Sequence, residues 1–186
     1  ELDRHVGLEH ITPDNPVPDF ESLDGQSSTK RHFLPGDVLY AKLRPYLRKA
    51  AHPDFEGLCT SEIIPIVAGG AINSKFLLYR LSSKRAFDYA IRTSIGTRMP
   101  RTSWNLFQNF EFELPPLPEQ RKIASVLYTV DQAIQKTEEI IEQTHRVKRG
   151  LVQDLFHGKD KTYADYKSTP VGEVPSHWSV TNIGAV

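Results

Sequence analysis

The chain has 186 residues, of which 39% are hydrophobic and 25% are charged, and its formal net charge at pH 7 is zero. This composition is typical of a folded globular protein and excludes a chain that is disordered throughout. No apolar run reaches the ~18 residues of a membrane-spanning helix, and the single cysteine excludes an internal disulfide, so we predict a reducing, cytoplasmic location.

Residues 1–114 have the pattern of a mixed α and β domain. Pro35-Gly36 predicts a turn, and residues 37–43 predict a strand that is ended by the next proline. Residues 58–67 are rich in isoleucine and are followed by paired glycines, which predicts a second strand. A last, weakly alternating strand is predicted over residues 107–114.

Two short helices are predicted between these strands. Ser74 is a candidate N-cap for a helix over residues 75–81, and Ser83 for a helix over residues 84–92. Residues 96–104 show no periodicity and predict a loop. The second helix is expected to bury one face, which is formed by Phe87, Ala90 and Ile91.

One long helix is predicted over residues 115–157. Its entry is rich in proline, Glu119 suits the dipole of the first turn, and Gly158 is a natural stop, while Gly150 predicts fraying or a kink. The apolar residues repeat as in a coiled-coil seam with a weak centre. The predicted seam consists of Ile123, Leu127, Val130, Ile134, Ile141, Leu151 and Leu155.

The length of this helix predicts a partner for it. About 40 residues extend roughly 60 Å at 1.5 Å per residue, whereas a domain of ~115 residues spans roughly 35 Å. A helix that carries an apolar stripe beyond its own domain needs a second helix to bury the stripe. The alternative is that the stripe packs against its own domain.

The remaining residues predict a linker and a further unit. Residues 158–169 are polar and predict a linker, and residues 170–186 contain two apolar runs and Trp178, which predict the start of another folded unit. The fold class that we predict is therefore α+β, with a mixed α/β domain followed by one long coiled-coil-forming α-helix.

The charge is distributed unevenly along the chain. Residues 1–29 carry a net charge of −6, residues 30–104 carry +8, and residues 105–186 carry −2. A local basic field is what duplex DNA requires, whatever the total charge of the chain. The alternative is a solvated surface whose charge is uneven, which is common in soluble domains.

Two basic segments are candidates for contact with DNA. Residues 42–49 contain four cations and Tyr46, and residues 98–104 contain two arginines, two hydroxyl groups and Trp104. Arginine binds guanine edges or phosphate, and lysine favours phosphate. The alternative is a solvated basic surface with both aromatic rings in the core. The predicted DNA-binding residues are Lys42, Arg44, Arg48, Lys49, Arg98, Arg101 and Ser103.

No catalytic set is predicted. The seven histidines lack the spacing of metal ligands, and Gly69-Gly70 lacks the flanking residues of a phosphate loop. Three Pro-Asp pairs are similar to the first half of a nuclease metal site, but the Glu-x-Lys that completes such a site is missing at a suitable distance. Cys59 predicts a small buried side chain in a strand. We therefore predict neither catalytic residues nor a metal site.

Several segments together resemble the specificity subunit of type I restriction-modification enzymes. The segments are VGLEHI at 6–11, PGDVLYAKLRPY at 35–46, TSEI at 60–63, LPPLPEQRKIA at 114–124 and GEVPSHW at 172–178. The resemblance implies a target recognition domain over residues 1–114, a spacer helix, and the start of a second such domain over residues 170–186. It also implies that the chain reads part of a bipartite DNA site and is not itself an enzyme.

The resemblance implies that other subunits supply the chemistry. A methylation subunit uses S-adenosylmethionine, and a restriction subunit uses ATP and Mg²⁺, so no cofactor is expected in this chain. The expected partners are double-stranded DNA, these two subunits, and a second long helix from a homodimer partner or from a missing half of the same subunit. No membrane contact is expected.

The chain departs from the family pattern in its organisation. The resemblance implies two recognition domains and two long helices in a family member, whereas we predict one of each here and expect the first domain to be without its opening segment. A linker over residues 158–169 reaches at most about 40 Å, so residues 170–186 are expected not to return to their own domain. We predict a two-fold antiparallel dimer in which these residues complete the partner's domain.

Two other functions stay open on the residues alone. The first is a coiled-coil adaptor that binds proteins and no DNA, which predicts no salt-sensitive affinity for DNA. The second is a metal-dependent nuclease, which predicts cutting of DNA by the isolated chain in the presence of Mg²⁺.

Overall fold

The computed structural model describes residues 3–13, 15–23, 29–156 and 165–185. The chain divides into two units, residues 1–133 and residues 134–186. The boundary between the two units lies inside the long helix, whose first turns pack against the domain. The described part of the first unit contains two sheets, three short helices and the start of the long helix.

The first sheet has four strands in the order β2-β1-β6-β3. Strand β1 (Arg4–Val6) runs parallel to β6 (Gly57–Thr60) and antiparallel to β2 (Glu21–Ser22), while β3 (Lys30–Phe33) pairs antiparallel with β6. At Gly57 an added Cβ atom would lie 2.7 Å from the carbonyl oxygen of Arg4. The close approach of the strands therefore requires glycine at this position.

The second sheet has three strands in the order β5-β4-β7. The central strand β4 (Val38–Ala41) pairs antiparallel with β5 (Ala50–Ala51) and β7 (Ile63–Ile66), and all four of its residues are buried. The predicted strand over residues 37–43 is confirmed in a shortened form. A buried central strand explains why its sequence is continuously apolar and not alternating.

The predicted single strand over residues 58–67 is wrong. The chain turns at Ser61-Glu62, and the two halves of the segment join different sheets. Cys59 belongs to one core, whereas Ile64 and Ile66 belong to the other. Apolar content alone does not reveal this turn, because both halves are rich in residues that favour strands.

The predicted turn at Pro35-Gly36 is confirmed. Gly36 has a φ of +92°, a conformation that side chains with a Cβ atom disfavour, and its N–H donates to the carbonyl of Pro53 at 3.0 Å. The carboxylate of Asp37 accepts the backbone N–H of Leu34 at 2.8 Å and closes the turn.

Two hydrophobic cores lie on either side of strand β4. In one core the ring of Tyr40 stacks between Phe87 and Phe107, with ring centroids 5.5 and 4.3 Å away. The other core contains Phe33 and Cys59. Burial raises the pKa of the Cys59 thiol to about 12, so the thiol stays protonated and the predicted role of Cys59 as a small buried side chain is confirmed.

Helix α1 (Ser74–Leu81) begins one residue earlier than predicted. Its N-cap is Asn73, whose side chain accepts the N–H of Phe76 at 3.0 Å. The hydroxyl group of Ser74 instead contacts Nε2 of His52 at 2.9 Å. Asparagine and serine are equally good caps, so the sequence did not distinguish the two positions.

Helix α2 (Lys84–Arg92) confirms the predicted cap at Ser83 and corrects the buried face. The side chain of Ser83 accepts the N–H of Ala86 at 3.3 Å. Phe87 and Ala90 are buried as predicted, but Ile91 is 42% exposed and Ala86 takes its place. The helix therefore presents an exposed isoleucine beside its charged residues.

The predicted strand over residues 107–114 is wrong. Phe107 ends the short helix α3 (Trp104–Phe107), and the following residues form no strand. The weak alternation comes from Phe110 and Phe112, whose rings stack at 6.0 Å and pack against the first core. Glu113 holds the segment from outside through ion pairs with Arg80 and Arg85.

Helix α4 (Leu117–Phe156) is 40 residues long and confirms the predicted long helix. It continues through Gly150, so the predicted kink or fraying at that residue is wrong. The helical residues on both sides keep Gly150 in the helix, although glycine is about 1 kcal/mol less favourable than alanine in a helix interior. None of the helices in the described ranges is both long and apolar enough to cross a membrane.

The described part of the second unit contains the end of helix α4 and a hairpin. Strands β8 (Tyr166–Thr169) and β9 (Gly172–Pro175) pair antiparallel, and Gly172, the first residue of β9, has a φ of +110° where the chain leaves the turn. The predicted linker over residues 158–169 is therefore wrong at its end. Residues 166–169 are polar but pair with β9 as a strand. Its earlier part, residues 158–164, lies outside the described residues.

Candidate nucleic-acid interface

The fold brings the two basic segments together. Leu43 pairs with Arg101 in an isolated antiparallel bridge. The N–H of Thr102 donates to the carbonyl of Lys42 at 3.0 Å, and the N–H of Arg44 donates to the carbonyl of Pro100 at 2.8 Å. Segments about 50 residues apart in the chain thus share one surface, which we call the basic surface (residues 42–49 and 95–104).

The second segment forms a closed loop. The backbones of Ile95 and Arg101 exchange two hydrogen bonds, of 2.9 and 3.0 Å, and Gly96 adopts a φ of +97° just inside them. Arg98 lies exposed among the five residues that the bonds enclose. A loop that is fixed by its own backbone presents this cation with little loss of conformational freedom on binding.

Arg101 braces this loop. Its Nε donates to the Glu62 carboxylate at 3.0 Å, and its Nη1 donates to the carbonyl of Met99 at 3.4 Å. The ion pair is partly exposed, with Glu62 at 25% and Arg101 at 44%. Two of the guanidinium nitrogens of Arg101 are therefore engaged by groups of the protein itself. Arg98 is the more available of the two arginines for contact with DNA.

The first segment contains two residues in left-handed backbone conformation. Arg44 has a φ of 50° and Arg48 a φ of 52°, on either side of a short 3₁₀ turn (Pro45–Leu47). Residues other than glycine adopt this conformation at a cost of order 1–3 kcal/mol each, and such residues are concentrated at functional sites. Nothing in the sequence pattern indicates this turn, because neither arginine is a typical residue for it.

The remaining predicted contacts differ in how available they are. The Nζ of Lys49 donates to the carbonyl of Leu8 at 2.6 Å, which makes this lysine a brace. Lys42 is half-buried, whereas Arg48 is exposed. Ser103 is the N-cap residue of α3, and its exposed hydroxyl makes no capping hydrogen bond.

Two aromatic rings lie exposed on the basic surface. Tyr46 is 50% exposed and Trp104 is 45% exposed. The alternative that both rings lie in the core is therefore wrong. Exposed aromatic side chains beside arginine are typical of recognition surfaces, where a ring supplies contact area at a low entropic cost.

Helix α2 extends the basic surface with cations that lie outside the two basic segments. The Pro45–Leu47 turn packs against this helix, and Lys84, Arg85 and Arg92 are exposed on it. The hydrogen bond from Lys84, followed by weaker attraction from Lys84, Arg48 and Arg92, lowers the pKa of Asp88. The repeat of charged residues at helical spacing was the available signal.

One group of side chains has the proximity of metal ligands. Ligand atoms of Glu9, His10 and Glu21 all lie within 4.8 Å of one another. However, Nδ1 of His10 accepts the N–H of Gly7 at 2.9 Å, so the neutral ring carries its proton on Nε2. A ring nitrogen that carries a proton offers no lone pair to a metal ion, so this group of side chains does not form a prepared metal site.

The predicted seam of helix α4 lies on the protein surface. Ile123 is half-buried, and the other predicted residues are between 38% and 55% exposed. This exposed set consists of Leu127, Val130, Ile134, Ile141, Leu151 and Leu155. A row of large apolar side chains on one helix face indicates a surface that is buried in an assembly.

The curated relatives of the chain are specificity subunits. It is 24% identical over 159 residues to the type I restriction enzyme EcoDI specificity subunit of Escherichia coli, which covers 86% of this chain and 33% of the relative. It is 29% identical over 175 residues to the putative type I restriction enzyme MjaX specificity subunit of Methanocaldococcus jannaschii, covering 88% and 40%. The chain thus spans well under half the length of these relatives.

Solved structures share its fold. The HsdS subunit from Thermoanaerobacter tengcongensis matches 95% of this chain with a TM-score of 0.61 and 22% identity, over 46% of that chain. The type I restriction-modification S subunit from M. genitalium matches 82% with a TM-score of 0.58 and 16% identity, over 41% of that chain. These matches confirm the predicted α+β class with a long helix after the domain.

A match to a protein-family model shows which family the chain belongs to. The model described as the type I restriction modification DNA specificity domain matches residues 36–145, which include the basic surface and most of the long helix. The match covers more than half of the sequence, and the chain therefore belongs to the family of type I restriction-modification DNA specificity domains.

Proposed function

We propose that this chain is a DNA-reading module that recognises part of a bipartite site in duplex DNA and has no catalytic activity of its own. The observation that carries the proposal is the joining of two basic segments into one surface by the hydrogen bonds from Arg44 to Pro100 and from Thr102 to Lys42. The family assignment supports the same role.

The exposed cations of this surface suit the DNA backbone. Arg48, Arg92 and Arg98 are exposed, and arginine binds phosphate oxygens through two parallel hydrogen bonds. Contacts to phosphate position a protein on DNA but do not read its sequence. These three residues therefore supply most of the salt-dependent affinity.

The side chains that lie between these cations are the ones that recognise bases. Tyr46 and Trp104 offer exposed rings, and Ser103 offers a hydroxyl group that can donate to or accept from a base edge. Arg101 keeps its loop in place through Glu62. The reading surface thus combines a rigid backbone with a few adaptable polar groups.

The proposed partners follow from the exposed seam and the family. A second long helix covers the seam, from a second copy or from another part of the same subunit, and the antiparallel arrangement with exchange of residues 170–186 is our preferred form. Methylation and restriction subunits would hold S-adenosylmethionine, ATP and Mg²⁺. This chain supplies only the recognition of DNA.

The salt dependence of DNA binding tests this proposal. The full chain, alone and with its co-expressed methylation subunit, is titrated with duplex DNA at several salt concentrations. Each phosphate contact contributes about 0.9 to the slope of log K against log salt concentration. The Arg48→Ala/Arg98→Ala double variant should lower that slope by nearly 2, while Lys136→Ala, an exposed cation of helix α4, should leave it unchanged.

Two results would count against the proposal. An unchanged slope in the double variant would remove the basic surface from the DNA interface. Wild-type protein that shows no salt-dependent affinity in either form would favour the adaptor function. Cutting of DNA by the isolated chain with Mg²⁺ would favour the nuclease.

A further inference from the structure

Helix α4 contacts the domain through a stripe of side chains that lies next to the apolar seam and shares no residue with it. It consists of Gln120, Ala124, Tyr128 and Asp131, which follow one another at spacings of four, four and three residues. Residues at these spacings lie on one face of a helix. We call this face the docking stripe.

Gln120 makes the first attachment. It is 1% exposed, and its Oε1 accepts the N–H of Asn73 at 2.8 Å. Its Nε2 donates to the carbonyl of Ala71 at 3.1 Å and to that of Pro115 at 2.7 Å. The side chain therefore joins the start of α4 to the loop that caps α1.

Two further attachments reach α1 itself. The Nζ of Lys75 lies 3.7 Å from the centre of the Tyr128 ring, which is cation–π geometry. The hydroxyl of Tyr79 donates to the Asp131 carboxylate at 2.6 Å. Both contacts lie two to three helical turns beyond Gln120 and hold the helix at a second point.

The space around these attachments is not closely packed. A cleft of about 260 Å³ is lined by Tyr79, Leu127 and Asp131 on one side of the contact, and a cavity of about 100 Å³ is lined by Lys75, Tyr79 and Tyr128 on the other. Closely packed apolar surfaces resist reorientation on their own. Ala124 is the one apolar residue of the docking stripe that is buried, so the directional polar contacts supply most of what fixes the angle of these turns.

We infer that the Tyr79–Asp131 and Lys75–Tyr128 contacts determine which gap length the reader accepts between the two parts of its DNA site. This inference rests on the proposed function. The two contacts act as positioning groups, because they join helix α4 to α1 and none of their four residues belongs to the basic surface, although Arg48 of that surface lines the same cleft as Tyr79 and Asp131. They fix the direction of the spacer helix and thereby the distance between reading domains.

Helix α4 is long enough that a small change in its direction moves its far end by several ångströms. Helix α4 continues for about 25 residues beyond Asp131, which is roughly 38 Å at 1.5 Å per residue. A swing of about 10° at the docking stripe would move the far end by roughly 6–7 Å. At 3.4 Å per base pair, this shift is about two base pairs of the gap.

The gap-length profile of the assembled reader tests the inference. Duplexes that carry the selected site with gaps from two base pairs shorter to two base pairs longer compete for binding to the wild type and to Tyr79→Phe and Asp131→Asn. Each variant should lose at least about fivefold of the discrimination between the preferred gap and its neighbours. Affinity for the preferred gap should fall less than about threefold.

Matched variants separate positioning from a general structural effect. Tyr89→Phe removes a tyrosine hydroxyl that donates to the carbonyl of Leu106, within the domain, and should leave the gap profile unchanged. Asp154→Asn removes an exposed carboxylate of α4 and should do the same. Asp131→Glu keeps an acceptor for Tyr79 and should retain most of the discrimination.

The outcomes distinguish this inference from the proposed function. Unchanged gap discrimination in folded Tyr79→Phe and Asp131→Asn, as judged by circular dichroism melting, overturns the inference and leaves DNA reading intact. Wild-type protein that selects a DNA site of one uninterrupted block also overturns it, because such a site has no gap whose length could be determined. A wild type that selects no DNA overturns the proposed function as well.

Discussion

Helix α4 contains two stretches that differ in whether their side chains are buried against the domain. In residues 117–131 the docking stripe contacts the domain, and Gln120 and Ala124 are buried. In residues 134–156 no residue is buried, although four large apolar residues of the predicted seam, Ile134, Ile141, Leu151 and Leu155, lie there. The side chains that attach a helix to its domain therefore need not be its large apolar ones.

The chemistry of the two stripes explains the difference. The docking stripe faces a loop whose backbone groups need hydrogen-bond partners, and the Gln120 amide satisfies two of them, the N–H of Asn73 and the carbonyl of Ala71. The seam offers only apolar area, which another apolar stripe satisfies best. One stripe is therefore specific for this domain, and the other is suited to a second helix.

The largest effect is expected when the seam is broken. Ile134→Asp places a carboxylate where the proposed partner helix buries an isoleucine worth about 1.5–3 kcal/mol. Burial of an unpaired charge adds further cost, so helix pairing should weaken at least about 100-fold. Analytical ultracentrifugation of the chain across micromolar concentrations measures the change in mass.

Gln143→Asp is the control for this variant. Gln143 is exposed and lies off the seam, and its substitution introduces the same charge into the same helix. Its assembly should match that of the wild type. An Ile134→Asp mass equal to the wild-type mass, or a wild type that is monomeric at all concentrations, contradicts the pairing of helices through this seam.

The next largest effect is expected in the docking stripe. Gln120→Ala leaves the N–H of Asn73 and the carbonyl of Ala71 without their side-chain partner. An unpaired buried polar group costs about 1–3 kcal/mol, so the free energy of unfolding should fall by about 2–3 kcal/mol. Urea denaturation measures it, and Gln143→Ala should change it by less than about 0.5 kcal/mol.

A smaller effect is expected at Gly150. No atom lies within 4 Å of an added Cβ there, and the helix is continuous through it. Gly150→Ala should stabilise the surrounding helix by about 1 kcal/mol. Hydrogen exchange should slow for amides of residues 145–155 and stay unchanged in the sheets, whereas slower exchange in the sheets would mean that both stretches unfold together.

The smallest effect is expected from pH. Burial, as the largest cause, lowers the pKa of His52 below its ordinary value of 6.5. Below pH 6.5 the unfolded chain binds a proton that the folded chain does not, so stability falls as the pH falls through 6.5 towards the lowered folded value. His52→Gln, which can still contact Ser74, should lose less stability between about pH 7.5 and 5.5 in urea titrations. Equal losses would show that His52 does not contribute.

The sequence predicted elements whose signals are local. Helix α2 began at the cap residue that we selected, strand β4 was placed by its apolar run, and the long helix was recognised by its length and its lack of internal proline. These features depend on neighbouring residues and on backbone propensity. They need no knowledge of distant contacts.

The errors arose where distant contacts decided the structure. The chain divides residues 58–67 between two sheets, and aromatic packing against the core replaces the expected strand over residues 107–114. The candidate site shows the same limit. Sequence identified both basic segments, but it did not show that Arg101 pairs with Glu62 or that Arg44 and Arg48 adopt left-handed conformations.

Selection of binders from a randomised duplex library tests whether this chain reads a bipartite DNA site. The full chain is used together with its co-expressed methylation subunit, and the bound DNA is sequenced. The proposed function predicts two short fixed blocks that are separated by a constant, unspecified gap. No enriched sequence, together with no salt-dependent affinity for any duplex, would contradict it.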